Sequence, residues 1–280
     1  MKNISLYPNP KRDESFSCTR RLAQLLGDMG HTVLLSESYK DIFSGPQKNL
    51  AFVSENELFT KGDALITLGG DGTILSVASR AAEAEIPVLG INLGRIGFMA
   101  GLEKEEIDKI PLLKPEDFTV SERMLLSCQV GEKKPFYALN EIVIAPEKGF
   151  HIVEMALKAG GRHLSDFRAD GLIFNTPTGS TGYAFSAGGA VCDAGLDCIG
   201  VKTVSSYMLI NAHHMIFRPD TEFLVEKICS EGGRVTVCAD GREEEFLKDG
   251  DLVTVTRALR RLKLCFLGEK SNLEVFFRKF

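Results

Sequence analysis

Two patterns of apolar and polar residues divide the chain. Up to about residue 112, short apolar runs alternate with stretches whose apolar residues recur every three or four positions. The short runs predict strands and the longer stretches predict helices. The predicted strands are 3–7, 32–35, 64–68 and 86–91, and the predicted helices are 14–29 and 73–83. Because alternating strands and helices indicate a parallel sheet, we expect an N-terminal Rossmann-like α/β domain over residues 1–112.

After Pro111 the pattern changes to many short β-like segments separated by glycine-containing turns such as Gly160-Gly161. The predicted β segments are 118–130, 136–145, 150–159, 162–175, 220–228, 233–239 and 251–267. This spacing is typical of an antiparallel, β-sandwich-like domain, which we place at 113–267. The tail is amphipathic, and we expect 268–280 to pack back on the first domain as a short helix.

Composition narrows the class of protein. A length of 280 residues allows about two domains, and 44% hydrophobic with 25% charged residues is ordinary for a globular chain. The net charge of −5 argues against a general nucleic-acid binder. We find no apolar run of membrane-spanning length and no signal-peptide core. The seven cysteines are scattered without a C-x-x-C pair, so we expect buried, reduced thiols and a cytoplasmic protein.

A glycine-rich turn, Leu68-Gly69-Gly70-Asp71-Gly72-Thr73, follows the predicted strand 64–68. Glycine lets another molecule approach the backbone closely, and the N–H groups at a helix start suit phosphate. Asp71 would repel a phosphate, so we expect it to hold a cation or to accept a proton. On its own, the motif is equally compatible with a plain turn.

A second dense stretch runs from residue 168 to 189 and reads RADGLIFNTPTGSTGYAFSAGG. Its hydroxyls and glycines supply donors and acceptors that suit ribose and phosphate oxygens. A flexible surface loop has a similar composition, but it has less reason to include Tyr183, Phe185, Arg168 and Asp170. We interpret the stretch as a ligand-binding loop.

Two shorter stretches add candidates. Asn140 and Glu141 open a strongly β-forming run; an amide can read a base edge, and a carboxylate can accept from two vicinal hydroxyls. The end of a hairpin is the simpler alternative. Residues 92–98 form another glycine-rich strand end, which by itself indicates only a tight connection.

Together these four stretches resemble the NAD kinase family over most of the chain. The matching words are GGDGT at 69–73, N-x-G-R-x-G-F at 92–98, L-N-E at 139–141 and D-G-L-x-x-x-T-P-x-G-S-T-x-Y at 170–183. GGDGT alone is shared with diacylglycerol and sphingosine kinases and, more loosely, with phosphofructokinases. The combination with the 170–183 word is much more specific. The resemblance implies an α/β domain followed by a β-rich domain.

The resemblance also implies roles for the matching residues. Asp71 corresponds to the carboxylate that accepts the proton of the adenosine 2′-hydroxyl, with Gly72 in the same pocket. The residues implied to bind NAD are Asp71, Gly72, Asn140, Glu141, His151, Arg168, Asp170, Thr181, Gly182, Tyr183, Ala184, Phe185 and Ser186. The residues implied to bind the phosphate donor are Gly69, Gly70, Gly72, Thr73 and Arg95.

The chain departs from the family pattern in two places. Between Tyr183 and Arg218 it is a few residues longer, which leaves the register of 187–217 open. The histidine-containing word of the family matches here at Asn211 and His213, although a solvated histidine pair is the alternative. Arg242 stands where the family often has glutamine, so the contacts of Asp240 and Arg242 stay open.

The reaction that the resemblance implies is phosphoryl transfer from ATP or polyphosphate to the 2′-hydroxyl of NAD, giving NADP. Mg²⁺ would arrive with the donor phosphates, since no His, Cys and Asp grouping has the spacing of a structural metal site. Family members are commonly homodimers or tetramers with shared sites. We expect no nucleic-acid partner and no membrane partner.

Three other functions compete with this interpretation. A lipid kinase shares GGDGT but has no need of the 170–183 loop, and a sugar-phosphate kinase would need clustered basic residues. A non-catalytic NAD(P) sensor on the same fold would keep the binding loops. Asp71 favours the enzyme, because a phosphate binder gains nothing from a carboxylate there. The sequence leaves open the donor, acceptance of NADH, oligomer size and feedback by NADP(H).

Overall fold

The structure, a computed structural model, describes residues 2–43, 48–94, 97–147, 151–206, 213–230, 233–248, 250–268 and 272–279. The chain forms two compact units, the first made of 1–122 with 262–280 and the second of 123–261. The sequence pattern put these divisions at 112/113 and 267/268. In the structure each division falls inside a long strand, where no change of residue pattern marks it.

The elements follow in chain order. Those up to residue 122 are β1 Asn3–Pro8, α1 Ser17–Asp28, β2 Thr32–Ser36, β3 Leu50–Val53, α2 Glu55–Lys61, β4 Ala64–Gly69, α3 Asp71–Glu83, β5 Val88–Asn92, β6 Leu102–Glu103 and the start of β7 Phe118–Val130. Those that follow are β8 Phe136–Ala138, β9 Glu141–Pro146, β10 Val153–Ala159, β11 Arg162–Ala169, β12 Gly171–Asn175, α4 Tyr183–Ser186, β13 Ile199–Val204, β14 Met215–Phe217, β15 Phe223–Ser230, β16 Val235–Ala239, β17 Glu243–Leu247, β18 Val253–Leu267 and α5 Asn272–Lys279. Short 3-10 helices occupy Glu14–Phe16, Glu37–Tyr39, Lys104–Leu112, Pro115–Asp117 and Thr178–Thr181.

The first unit is built on a parallel sheet in the order β3-β2-β1-β4-β5, with the end of β18 beside β5. The central strand β4 is an apolar run buried along most of its length, as expected for a strand covered on both faces. Helix α3 buries Ile74, Val77, Ala78 and Ala81, which recur at the three- and four-residue spacing of one helix face.

The strand order reverses direction between β1 and β4. The chain builds outwards from β1 through β2 to β3, and then returns to add β4 on the other side of β1. At such a switch point the connections after the two strands diverge and leave a crevice at their carboxyl ends. The glycine-rich turn at 69–73 follows β4 at this position.

Helix α1 begins with an unusual cap. The residue before it, Phe16, is in the left-handed region and its ring packs on Tyr39 and Phe43, so its side chain offers no cap. The buried carboxylate of Asp13 instead accepts the N–H groups of Cys18 and Thr19, each at 2.9 Å. These are donors of the first helical turn, which otherwise lack partners.

The second unit is an antiparallel sandwich. One sheet has the order β14-β13-β12-β9-β16-β17, and the other contains β11-β10-β15 with the start of β18. Side chains from both sheets meet in one core, for example Ile144, Phe174 and Val237 from the first sheet with Leu157 and Val225 from the second. Alternate residues of each strand supply this core.

The predicted fold class, a parallel α/β part followed by an antiparallel sandwich-like part, is confirmed. The four strands predicted before residue 92 are present within two residues at either end, and α3 begins two residues earlier than predicted. The pattern missed the strands β3, β6, β13, β14 and β17 and the helices α2 and α4. Strand β13 contains Gly200 and a buried Lys202, and β17 begins with three glutamates, so neither has the composition of a typical strand.

Two further expectations have clear outcomes. All seven cysteines are reduced thiols, but the expected burial is wrong for most of them: Cys18 and Cys128 are buried, Cys229 is exposed and the other four lie between. Among the residues that the structure describes, none of the helices has the length and apolar content that a membrane span needs.

We predict that Asp13→Ala lowers the stability of the protein. The variant leaves the N–H groups of Cys18 and Thr19 buried without acceptors, which costs about 1–3 kcal/mol. Thermal unfolding followed by circular dichroism should show a midpoint several degrees lower. Glu14→Ala removes an exposed carboxylate one residue away and is the matched control. An equal midpoint in the two variants would contradict the capping role of Asp13.

Candidate active site

The turn after β4 is crowded at Gly69 and open at Gly70 and Gly72. A Cβ on Gly69 would collide with the hydroxyl of Thr73, and Leu93 donates its N–H to the carbonyl of Gly69 at 2.7 Å. Gly70 is the extended N-cap of α3, and Gly72 is exposed on its first turn with open space above its Cα. The glycines therefore form a turn that another molecule can approach closely.

Thr73 takes a supporting position in this turn. It is buried, its hydroxyl accepts an N–H from the side chain of Asn9 at 3.1 Å, and its own N–H donates to the carbonyl of Gly70. The hydroxyl thus ties the end of β1 to the start of α3. Its predicted contact with a phosphate donor stays a prediction, as does that of Arg95, which lies outside the described residues.

The carboxylate of Asp71 is half-buried and fixed in place. It accepts the N–H groups of Phe98 at 2.9 Å and Met99 at 3.1 Å, one on each oxygen. A Cβ on Gly97 would stand 2.5 Å from Oδ1, so glycine is required for the loop to approach. Because a carboxylate has about four lone-pair positions, Asp71 keeps acceptor capacity for a ligand.

In the second unit, one carboxylate organises the start of β9. Asp240 accepts N–H groups from three consecutive residues, Leu139 at 2.8 Å, Asn140 at 2.8 Å and Glu141 at 3.0 Å. Burial raises the pKa of Asp240, while these three hydrogen bonds and the nearby Arg242 guanidinium lower it. The sequence left the role of Asp240 open, and the structure assigns it the fixing of this backbone.

Asn140 and Glu141 each have one buried acceptor atom that is unsatisfied in the part of the chain that the structure describes. Neither Asn140 Oδ1 nor Glu141 Oε2 has a hydrogen-bond donor among the described residues, although both atoms are buried. Burial, followed by the charge of Asp240, raises the pKa of Glu141 to about 7, against a smaller lowering by the N–H of Tyr183. Buried polar atoms are nearly always paired, so this pair indicates a ligand-binding position.

The predicted ligand loop packs directly on this turn. Thr176 donates its hydroxyl to the carbonyl of Leu139 at 2.6 Å and accepts the N–H of Gly179 at 3.0 Å. Gly179 lies so close to the carbonyl of Asn140 that any side chain would collide with it, and a Cβ on Gly182 would stand 2.8 Å from Glu141 Oε2. The structure therefore brings the loop together with Asn140 and Glu141.

The remaining loop residues follow as a short helix. Thr181 donates to the carbonyl of Thr178, and Ser186 lies exposed at the helix end. Ala184 is fully buried and anchors the helix, Phe185 is half-buried, and Tyr183 exposes 42% of its surface. The Tyr183 ring is accordingly available for stacking on a flat ligand.

Three other predicted residues lie elsewhere on the second unit. Arg168 is exposed on β11 and forms an ion pair of 2.8 Å with Glu154 on the adjacent strand. Asp170 is exposed between β11 and β12, with its N–H donated to Val204, and His151 is half-buried just before β10. Their predicted contacts with NAD stay predictions.

A residue that the sequence did not single out, His214, has the more specific contacts of the histidine pair. Its Nδ1 accepts the N–H of Ala190 at 2.9 Å, so Nε2 carries the hydrogen and donates to Asn175 Oδ1 at 3.0 Å. Burial, and then the charge of Lys202, lower the pKa of His214. His213 is exposed, and Asn211 lies outside the described residues. A Cβ on Gly200 would collide with the His214 ring and one on Gly189 would crowd it, so these two glycines were the sequence signal that could have indicated its position.

Comparisons with known proteins agree across the chain. Residues 4–111 match the family model of the ATP-NAD kinase N-terminal domain, and 139–266 match that of the C-terminal domain. The NAD kinases of Natranaerobius thermophilus and Mycobacterium tuberculosis are each 32% identical to the chain, all of which aligns with 98% and 95% of those proteins.

Two solved structures share the fold. Yeast NADH kinase, complexed with NADH, aligns with a TM-score of 0.86 at 22% identity over 99% of this chain and 86% of its own. An NAD kinase from Archaeoglobus fulgidus, in complex with ATP, aligns with a TM-score of 0.73 at 26% identity over 99% and 96%. The lipid-kinase and sensor alternatives are not favoured by these relationships. The chain belongs to the NAD kinase family, and it is a phosphotransferase that acts on NAD.

Proposed function

We propose that the protein transfers the γ-phosphoryl group of ATP to the 2′-hydroxyl of the adenosine ribose of NAD, with Asp71 as the proton acceptor. The observation that carries this assignment is the Asp71 carboxylate at the switch point of the parallel sheet, fixed by two backbone N–H groups. A site that only binds phosphate gains nothing from a negative charge at a helix start. A hydroxyl that must lose a proton does gain from it.

Catalysis of phosphoryl transfer depends mainly on positioning the two substrates and on neutralising the charge of the transferred group. In a loose phosphoryl-transfer transition state the nucleophile loses its proton late, as the new O–P bond forms. A carboxylate hydrogen-bonded to the hydroxyl can take that proton, which typically contributes about 10²–10⁴-fold. The glycine backbone at 69–72 allows the donor phosphates to approach the start of α3.

The available donor atoms fit a magnesium ion that is held mainly by substrate. Among the described residues no group of three or more His, Cys, Asp or Glu side chains could hold a metal. Mg²⁺ usually takes one or two carboxylates together with phosphate oxygens and water, and Asp71 is the carboxylate at the glycine turn. When bound, the metal ion neutralises charge on the donor phosphates.

We assign recognition of the adenosine part of NAD to Asn140 and Glu141. Their unpaired buried oxygens are acceptors for the amino group of a base and for ribose hydroxyls. The residues from Thr181 to Ser186 would wrap the ligand, with Tyr183 stacking on a flat ring. We keep His151, Arg168 and Asp170 as further proposed contacts.

One assay distinguishes ATP from polyphosphate as the phosphoryl donor. The ATP complex of the Archaeoglobus fulgidus enzyme and the NADH complex of the yeast enzyme support ATP as donor and a nicotinamide dinucleotide as acceptor. Purified protein is incubated with Mg²⁺, NAD⁺ or NADH, and either ATP or polyphosphate, and NADP(H) is measured with an NADP-specific dehydrogenase. We expect product with ATP. No product with either donor would overturn the kinase proposal and leave a sensor.

We further propose a cytoplasmic homo-oligomer, a dimer or a tetramer. The seven reduced thiols support a reducing compartment. Light scattering coupled to size exclusion should give a mass of two or four times 30.7 kDa, and a mass of one chain at assay concentration would contradict the oligomer.

We predict that Asp71→Asn lowers kcat by about 10²–10⁴-fold, because the amide cannot take the hydroxyl proton. The Kd for NAD⁺, measured by calorimetry, should change less than about threefold. Asp63→Asn is the matched control, since Asp63 likewise accepts two backbone N–H groups, those of Lys2 and Asn3. Near-normal kcat in the Asp71 variant would refute the base assignment.

We predict that the KM for NAD⁺ falls as pH rises from 6 to 8. Only the ionised Glu141 carboxylate accepts hydroxyl protons with both oxygens, and its pKa is raised to about 7 by burial and Asp240. The unfolded chain ionises this group near pH 4.5, so the same shift makes stability decrease as pH rises towards 7.

Glu141→Gln should remove the pH dependence of KM, because the amide does not titrate. Glu147→Gln changes a glutamate just beyond the other end of β9 and should keep the wild-type profile. A profile that is the same in both variants would show that another group titrates.

A further inference from the structure

Two cysteines lie together on the loop between α4 and β13. Cys192 and Cys198 are both half-buried, and their thiols form a hydrogen bond with each other. Five residues lie between them in the sequence, so neither a C-x-x-C motif nor a shared strand predicts the contact.

The loop is joined to the ligand loop through Cys192. Its backbone N–H donates to the hydroxyl of Ser180 at 2.9 Å, and that hydroxyl donates to the carbonyl of Pro177 at 2.7 Å. Ser180 is buried and precedes Gly182, the glycine beside Glu141 Oε2, by two residues. A displacement of Cys192 is therefore transmitted to the backbone that faces the proposed NAD-binding oxygens.

The two thiols have different acid strengths. The hydrogen bond from Cys198 lowers the pKa of Cys192 to about 7, against a raising effect of burial. The same hydrogen bond, burial and the charge of Asp197 raise the pKa of Cys198. Asp197 is itself held by Arg261, at 3.0 Å, and by Arg257. Cys192 is therefore the more acidic thiol of the pair, and we assign it as the attacking thiol.

We propose that Cys192 and Cys198 form a reversible disulfide-exchange site that takes a low-molecular-weight disulfide and alters NAD binding through Ser180. The Cys192 thiolate attacks one sulfur of the disulfide RSSR, whose S–S bond breaks to release RS⁻ and leave a mixed disulfide on Cys192. Cys198 then loses its proton and attacks the Cys192 sulfur, which releases the second RS⁻. The two protons end on the released thiols, so the protein is oxidised by two electrons and RSSR is reduced to two RSH.

Closure of this bond has a mechanical consequence. A disulfide holds its sulfurs about 2.05 Å apart, much closer than two thiols in hydrogen-bond contact. Cys198 is next to Asp197, which is held by Arg261. When the distance between the two sulfurs shortens, we therefore expect Cys192 to move more and its hydrogen bond to Ser180 to be strained. We expect the oxidised protein to bind NAD⁺ several-fold more weakly; this kinetic part rests on the proposed kinase function.

The test uses the full-length protein and glutathione disulfide, followed by alkylation and peptide mapping. In the wild type we expect the peptides of Cys192 and Cys198 to be linked, and dithiothreitol to restore both thiols. Cys198→Ser should accumulate glutathione on Cys192, whereas Cys192→Ser should modify Cys198 at least tenfold more slowly. Cys229→Ser removes the exposed cysteine and should leave the link unchanged.

The assay of NADP formation completes the test. The KM for NAD⁺ should rise several-fold in the oxidised wild type, return after reduction, and stay unchanged under oxidant in Cys192→Ser, which lacks the attacking thiol. Absence of the linked peptide in the wild type would overturn the exchange site, whether or not the protein is a kinase. A linked peptide with an unchanged KM would overturn the coupling to NAD binding.

Discussion

The start of β9 in the second unit depends on one constraint, the three backbone N–H groups that converge on the Asp240 carboxylate. Asp240 reaches this position because it occupies the left-handed region, with φ of 50°, at the turn between β16 and β17, and Gly241 follows with φ of 70°. Two successive positive φ angles are those of a tight hairpin turn. The hairpin thereby carries a carboxylate over the start of β9, and the ligand loop packs on the backbone that this carboxylate fixes.

The same carboxylate prepares Glu141 for a ligand. Burial, and then the negative charge of Asp240, makes the ionisation of Glu141 unfavourable and raises its pKa, and its Oε2 has no donor among the described residues. Such an arrangement is costly in the folded protein and is relieved when donor groups of a ligand arrive. Asn140 Oδ1 is in the same state. Fixed backbone and unsatisfied acceptors are together what preorganisation for binding requires.

The first unit places the carboxylate of Asp71 in the first turn of α3, where the helix N–H groups favour anions. The switch point between β1 and β4 opens the sheet at that position, and Gly97, which has no Cβ, lets its loop close on the Asp71 carboxylate. Both oxygens of Asp71 are held by backbone donors, so its orientation does not depend on a flexible partner. The negative charge of Asp71 would repel a bound phosphate, but a carboxylate can accept the proton of a hydroxyl that is phosphorylated.

The sequence by itself determined the fold class, the four early strands and the family, because apolar periodicity and short contiguous motifs are local properties. It also predicts Asp71, Asn140 and Glu141 as site residues, because they lie within such motifs. Only the tertiary structure decided the capping of α1 by Asp13, the hydrogen bonds of Asp240 with residues about 100 positions away, the hydrogen bonds of His214 with Ala190 and Asn175, and the contact of Cys192 with Cys198. Each of these depends on which backbone groups folding brings within hydrogen-bond distance, and residue order does not specify that distance.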